Sequence, residues 1–92
     1  MRYVVSYDIS NDKRRRKVVK VLEGVGFRVQ YSVFECDLDS QRLKALRKQL
    51  KPLIQPKSTD SIRFYGLCAD CQKRVDVLGN DLSKTLGVVL IV

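Results

Sequence analysis

Residues 2–8 alternate, with Tyr3, Val5 and Tyr7 set against Arg2, Val4, Ser6 and Asp8, and this period of two predicts a first strand ending on an aspartate. Asn11 or Asp12 then caps a helix that runs to about Glu23. At helical spacing Val18, Val21, Leu22 and Val25 share one face with Val19 on its border, while Lys13, Arg16, Lys17 and Lys20 lie opposite. Arg14 and Arg15 fall on the apolar side, but in the first turn, where that side looks out over the end of the sheet toward Asp8. Gly24 and Gly26 supply the stop. Phe27-Arg28-Val29-Gln30-Tyr31 alternates again, and then the phase slips, so that Ser32, Phe34, Cys36 and Leu38 oppose Val33, Glu35 and Asp37. A change of phase without turn residues predicts either a very tight hairpin or a bulge inside one long strand.

Asp39-Ser40 caps a second helix, whose Leu43, Leu46, Leu50 and Leu53 form a narrow apolar stripe before Pro52 and Pro56 end it. Lys44, Arg47, Lys48 and Lys51 form a basic stripe beside it. In Ser61–Leu67, Ile62 and Phe64 oppose Arg63, Tyr65 and Leu67, which predicts the last core strand. The order strand, helix, strand, strand, helix, strand predicts an α+β, ferredoxin-like βαββαβ domain, with a four-stranded antiparallel sheet and two helices on one face. Residues 1–92 read as a single domain, with a core over about 1–68 and a C-terminal extension over about 74–92. Val75 to Leu78 reads as a fifth short strand and Val88 to Val92 as a sixth. Five consecutive apolar residues are an aggregation hazard at a free edge, so this last run pairs across a dimer or folds back on its own sheet.

Composition narrows the class. Of the 92 residues 45% are hydrophobic and 30% charged, which describes a folded globular chain rather than a disordered one. The longest apolar runs fall far below the ~20 residues that cross a bilayer, and the amino terminus enters a strand directly, so no membrane is expected and the compartment expected is the cytoplasm. Eighteen Lys and Arg against ten Asp and Glu give a net charge of +8, which favours nucleic acid as a partner over a merely solvated basic surface. There is no histidine, so any hydrolysis must rest on carboxylate, metal and water. Asp8, followed by Ser10-Asn11-Asp12 and then Lys13-Arg14-Arg15-Arg16-Lys17, is a place to hold a hard cation against a phosphate. Cys68-Ala69-Asp70-Cys71 has C-x-x-C spacing, but one such pair offers two thiolates where zinc takes four ligands. Small residues leading out of a strand is the reading adopted; zinc shared between copies and a redox pair are the alternatives.

Tyr7-Asp8-Ile9-Ser10, the Lys13-Arg14-Arg15 helix start, the block from Gly26 through Gln30-Tyr31-Ser32-Val33-Phe34-Glu35, and Ile62-Arg63-Phe64-Tyr65-Gly66-Leu67 together resemble the CRISPR-associated Cas-two (Cas2) family. The resemblance runs from Arg2 to about Gly79, in order and at the right spacings. It implies a ferredoxin-like homodimer acting in spacer acquisition, with members that are metal-dependent endonucleases on RNA or double-stranded DNA. The same family also serves as a non-catalytic bridge between Cas-one (Cas1) integrase dimers. By the match, Asp8 takes the position of the metal-binding, catalytic aspartate, and Arg15, Lys17, Arg28 and Phe34 fall where similar proteins place residues important for activity. Lys17 stands where some members have arginine.

One aspartate is too little for a magnesium site, which commonly takes one or two protein carboxylates with water and substrate phosphate. A two-fold axis between identical chains supplies the second copy. Arg14, Arg15 and Arg28 are then expected to orient phosphate, with the stripe Lys44, Arg47, Lys48 and Lys51 tracking the backbone of RNA or DNA. Tyr7, on the opposite pleat from Asp8, supports the site from the core or an interface, Ser10 through the turn, and Phe34 by packing. Glu35 and Asp37, on the pleat opposite Phe34, are expected to be solvent-exposed, with a contribution of ligands as the alternative. The function expected is a magnesium-dependent endonuclease; the alternative is a nucleic-acid-binding adaptor for the integrase.

Overall fold

The computed structural model describes residues 1–79. β1 (Arg2–Asp8), β2 (Gly26–Gln30), β3 (Val33–Asp37) and β4 (Ser61–Leu67) form one antiparallel sheet in the order β2-β3-β1-β4. α1 (Asp12–Glu23) joins β1 to β2, α2 (Ser40–Leu50) with a 3₁₀ turn at Lys51–Leu53 joins β3 to β4, and a short helix α3 (Ala69–Lys73) follows. This is the ferredoxin-like arrangement that the alternation predicts.

Register explains which side chains meet. Val5 lies opposite Phe34 on one flank and Phe64 on the other, and Tyr3 opposite Cys36 and Gly66, so one pleat presents an apolar face. Val18 and Leu22 from α1 and Leu46 and Leu50 from α2 close over it, and with Val5, Tyr7, Ile9, Phe34, Cys36 and Leu38 they form the buried core. Helices of 12 and 11 residues are marginal alone in water. They are held by this stripe, each buried Val, Leu or Phe contributing about 1.5–3 kcal/mol on leaving water. Side-chain caps fix where they start: Asn11 accepts from the Arg14 N–H and Asp39 from the Arg42 N–H, at 2.9 and 2.8 Å. The opposite pleat, carrying Val4, Ser6, Asp8, Val33, Glu35, Arg63 and Tyr65, is half-buried to exposed.

The phase slip has two sources. Tyr31 and Ser32 make a two-residue hairpin turn, and the β2–β3 register also shifts between Arg28 and Gln30, a bulge at Val29. Gly24 caps α1 from a right-handed backbone (φ −75°), with its N–H donated to the Leu22 and Val21 carbonyls, so no left-handed residue is needed there. Gly26 serves another purpose: a Cβ on it would overlap the Glu35 carbonyl and the Cys36 Sγ, so only glycine lets β2 approach β3 this closely.

Two expectations are corrected. Val75 to Leu78 is not a strand: the segment is irregular, and Val75 and Leu78 are 52% and 98% exposed, with no neighbouring strand among the described residues. Cys68 does not simply lead out of β4 but caps α3. The sixth strand expected at Val88 to Val92 lies outside the described residues.

Candidate functional site

Asp8 is the last residue of β1, exposed, on the pleat facing away from α1 and α2. Its cross-strand neighbour is Ser61, and the preceding residue on its pleat, Ser6, faces Arg63. Arg63 is therefore the diagonal neighbour of Asp8, at a separation of about 7–8 Å between Cα atoms. Its guanidinium donates to the Tyr65 hydroxyl at 3.4 Å, a contact that raises its pKa further. No described residue forms a salt bridge with Asp8. The sequence reading missed Arg63 as a site residue. Its pleat was legible from the alternation of β4, but its nearness to Asp8 depends on a register between segments far apart in the chain.

Arg14 and Arg15 start α1 as expected, but they are committed elsewhere than Asp8. Arg14 Nε donates to Asp60 Oδ2 at 2.9 Å, and the Arg14 guanidinium, joined by the Gln55 N–H, holds the Asp60 carboxyl below the usual carboxylate range. Arg15 donates to the Ile9 carbonyl at 3.1 Å and pairs with the Asp12 carboxylate, which ties the helix start to the exit of β1. Ser10 contributes its backbone carbonyl to the same arginine at 3.5 Å.

Arg15 and Arg28 do meet, in a cleft of about 450 Å³ between α1 and β2 that Arg16, Lys20, Tyr7 and Tyr31 also line. Arg28 stands directly across from Phe34, its guanidinium 5.5 Å from the ring centroid. Phe34 itself is fully buried, so it packs and orients Arg28 rather than stacking on a base. Tyr7 is buried and donates its hydroxyl to the Tyr31 carbonyl at 3.0 Å, anchoring the hairpin beside this cleft. Lys17 lies elsewhere, on a cleft between α1 and α2 with Lys20 and Gln49. Lys44, Arg47 and Lys48 on α2 and Lys51 at the start of the 3₁₀ turn are all exposed, and the last three rim an apolar groove floored by Leu50, Ile54, Ile62 and Phe64. The basic residues expected at the site thus line three surfaces on the helix side of the sheet, two of them sharing Lys20, while Asp8 lies on the other pleat.

Asp37 is exposed as expected, whereas Glu35 is half-buried. Both are engaged by Arg2, at 3.2 and 2.8 Å, with the guanidinium 5.5 Å above the Phe27 ring. Hydrogen bonding to Arg2 holds the Asp37 carboxyl below its ordinary range. These acids have their partner and lie toward the start of β1, opposite Val4 and Arg2, while Asp8 ends it. Among the described residues no group of three or more His, Cys, Asp or Glu gathers to hold a metal. Asp8 offers the hard oxygen that magnesium prefers, but one chain offers a single carboxylate, which is half of a site.

Comparison with known proteins covers nearly the whole described chain. A family described as "CRISPR associated protein Cas2" matches residues 1–75. The "CRISPR-associated endoribonuclease Cas2 1" of Chloroflexus aurantiacus is 48% identical over 80 residues, spanning 87% of this chain and 86% of that protein. The crystal structure of Streptococcus pyogenes Cas2 superposes with a TM-score of 0.75 at 40% identity, covering 86% of this chain and 100% of the other. A chain of a partial Cas6-RT-Cas1–Cas2 complex superposes with a TM-score of 0.74 at 32% identity, covering 84% and 89%. Among the described residues no helix is long and apolar enough to cross a membrane. With its strand order, its Tyr7-Asp8 strand end and these likenesses, the chain belongs to the CRISPR associated protein Cas2 family.

Proposed function

We propose that this chain acts in CRISPR spacer acquisition as a magnesium-dependent phosphodiesterase, cleaving RNA or double-stranded DNA as a homodimer in company with a Cas1 integrase. The observation that carries the catalytic reading is Asp8, an exposed carboxylate at the end of β1 on the pleat that α1 and α2 leave open. Stacking two copies through that pleat about a two-fold axis brings two Asp8 side chains to one place, the pair a magnesium ion needs. Tyr65, 48% exposed, and the half-buried Val4 and Val33 give this face the apolar area for a contact between copies.

Magnesium, when bound, supplies Lewis-acid activation of water and of the phosphate. The chain's own residues do the rest. Asp8, with its counterpart from a second copy, is the residue that would hold the cation. Arg63, on the same pleat, is the guanidinium nearest in register for offsetting charge that develops on the phosphate. The exposed cations of α1 and α2 hold the flanking backbone of the nucleic acid. The relative from Chloroflexus aurantiacus carries the name of an endoribonuclease, which supports RNA as a substrate class.

The second reading is a nucleic-acid-binding adaptor that joins the integrase without cutting. It is favoured by the lack of any gathered metal-ligand group around Asp8 among the described residues and by the likeness to a chain of a Cas1–Cas2 complex. Asp8→Asn separates the two, because it keeps the side-chain shape and removes the charge. Metal-dependent cleavage of a defined RNA and a defined duplex is expected to fall about 100-fold or more. Undiminished cleavage by the purified variant would remove the Asp8 centre. Loss of cleavage with spacer capture intact would make the adaptor role primary.

A further inference from the structure

Cys68 and Cys71 take no part in the site described above, yet they are arranged for chemistry. Cys68 is the N-cap of α3, and Cys71 stands at the third helical position. The Cys71 N–H donates to Cys68 Sγ at 3.5 Å, so the Cys68 sulfur folds back over the first turn toward Cys71. Residues three apart in a helix have Cα atoms about 5 Å apart, inside the roughly 4.4–6.8 Å that a disulfide spans. Both thiols are exposed, whereas the third cysteine, Cys36, is fully buried in the core. Gln72 Nε2 donates to the Leu67 carbonyl at 3.3 Å and fastens α3 to the end of β4, so the pair sits on a braced turn.

We propose that Cys68 and Cys71 form a dithiol–disulfide exchange site, Cys68 attacking and Cys71 resolving, that reacts with the disulfide of a low-molecular-mass thiol such as glutathione. The Cys71 backbone N–H, donating to the Cys68 sulfur, holds the Cys68 thiol below its ordinary range, and the nearby Cys68 side chain pushes the thiol of Cys71 up. The thiolate is the nucleophile, so this asymmetry assigns the order of attack. Cys68 loses its proton and attacks one sulfur of the small disulfide, forming a mixed disulfide and releasing one thiolate. Cys71, deprotonated in turn, attacks the Cys68 sulfur, closes the intrachain disulfide and releases the second thiolate. Two protein thiols are oxidised by two electrons, the small disulfide is reduced to two thiols, and the protons of the cysteines end on them. A closed zinc site needs four ligands, and among the described residues no third ligand joins the pair. This chemistry is separate from Asp8 and holds whether or not the chain cleaves nucleic acid.

The test uses the full chain, reduced and freed of reductant, equilibrated with glutathione at stepped ratios of oxidised to reduced, alkylated, and weighed intact with peptide mapping. The expected product has lost two hydrogens, with the bridge between Cys68 and Cys71 and with Cys36 alkylated only after denaturation. Cys71→Ser is expected to trap one glutathione on Cys68, and Cys68→Ser to react at Cys71 about tenfold more slowly. Circular dichroism checks that both variants fold, and the wild-type result stands without them. The inference is overturned if the pair stays reduced in fully oxidised glutathione, if it links two copies instead, or if the two variants react at one rate. Stoichiometric zinc that shields both thiols from alkylation overturns it in favour of a metal site.

Discussion

Asp60 joins three parts of the chain through one carboxylate oxygen, which accepts from Arg14 Nε at 2.9 Å and from the Gln55 N–H at 3.1 Å. Its side chain is shielded from solvent, and Oδ1 has no hydrogen-bond partner. Because the Asp60 carboxyl is held below its unfolded range, its contribution to stability is present above about pH 4 and is lost as pH falls through the lower folded value. Asp60→Asn is therefore expected to lower Tm near neutrality, and the gap from wild type to narrow on acidification below about pH 4. Calorimetry across pH checks this, and a gap that widens in acid would contradict it. Gly26 makes a second demand at this scale. Gly26→Ala forces β2 away from the Glu35 carbonyl and the Cys36 sulfur, and denaturant unfolding should show a loss of about 1–3 kcal/mol.

At the scale of elements, α2 and the 3₁₀ turn that follows it separate two tasks around one axis: Leu46 and Leu50 are buried, while Lys44, Arg47, Lys48 and Lys51 stand in solvent. Replacing those four cations with serine should leave the helix and the core in place but weaken binding to duplex DNA. Each lost phosphate contact should reduce the slope of log affinity against log salt by about 0.9. An unchanged slope in a salt titration would show that α2 does not face nucleic acid. These stripes were legible because helix and strand periods sort side chains locally, and so were the caps at Asn11 and Asp39. Pairing was not. Nothing in the neighbourhood of Arg2 announces that it will grip Asp37, nor around Arg63 that it will face Ser6, since strand register is decided between distant segments. Val75-Asp76-Val77 alternates as β4 does, yet with no strand alongside it among the described residues it stays irregular, because alternation describes a face and not a partner. The position of Asp8 at a strand end was legible from the pattern, whereas the binding of Arg14 by Asp60 required the loop geometry of residues 55–60.

For the molecule as a whole, the decisive asymmetry is a sheet with helices on one side. Its open pleat carries Tyr65 between Arg63 and Leu67, with Val4 alongside in register. If two copies stack there, Tyr65→Glu puts two carboxylates into the contact. Sedimentation should then find monomers at concentrations where the parent chain is dimeric, with unchanged circular dichroism. A parent chain that sediments as a monomer throughout would remove the shared metal site with it. The strand order also governs the birth of the molecule. β1 is made first but lies inside the sheet, and Val5 must wait for Phe34 on one side and Phe64 on the other. Non-local pairing of this kind is slow, since loop closure precedes its reward. On the ribosome, β1 therefore emerges ahead of the strands that flank it and travels without them until β3 and then β4 have been synthesised, which makes nascent-chain guardians and slow translation relevant to the yield of this protein.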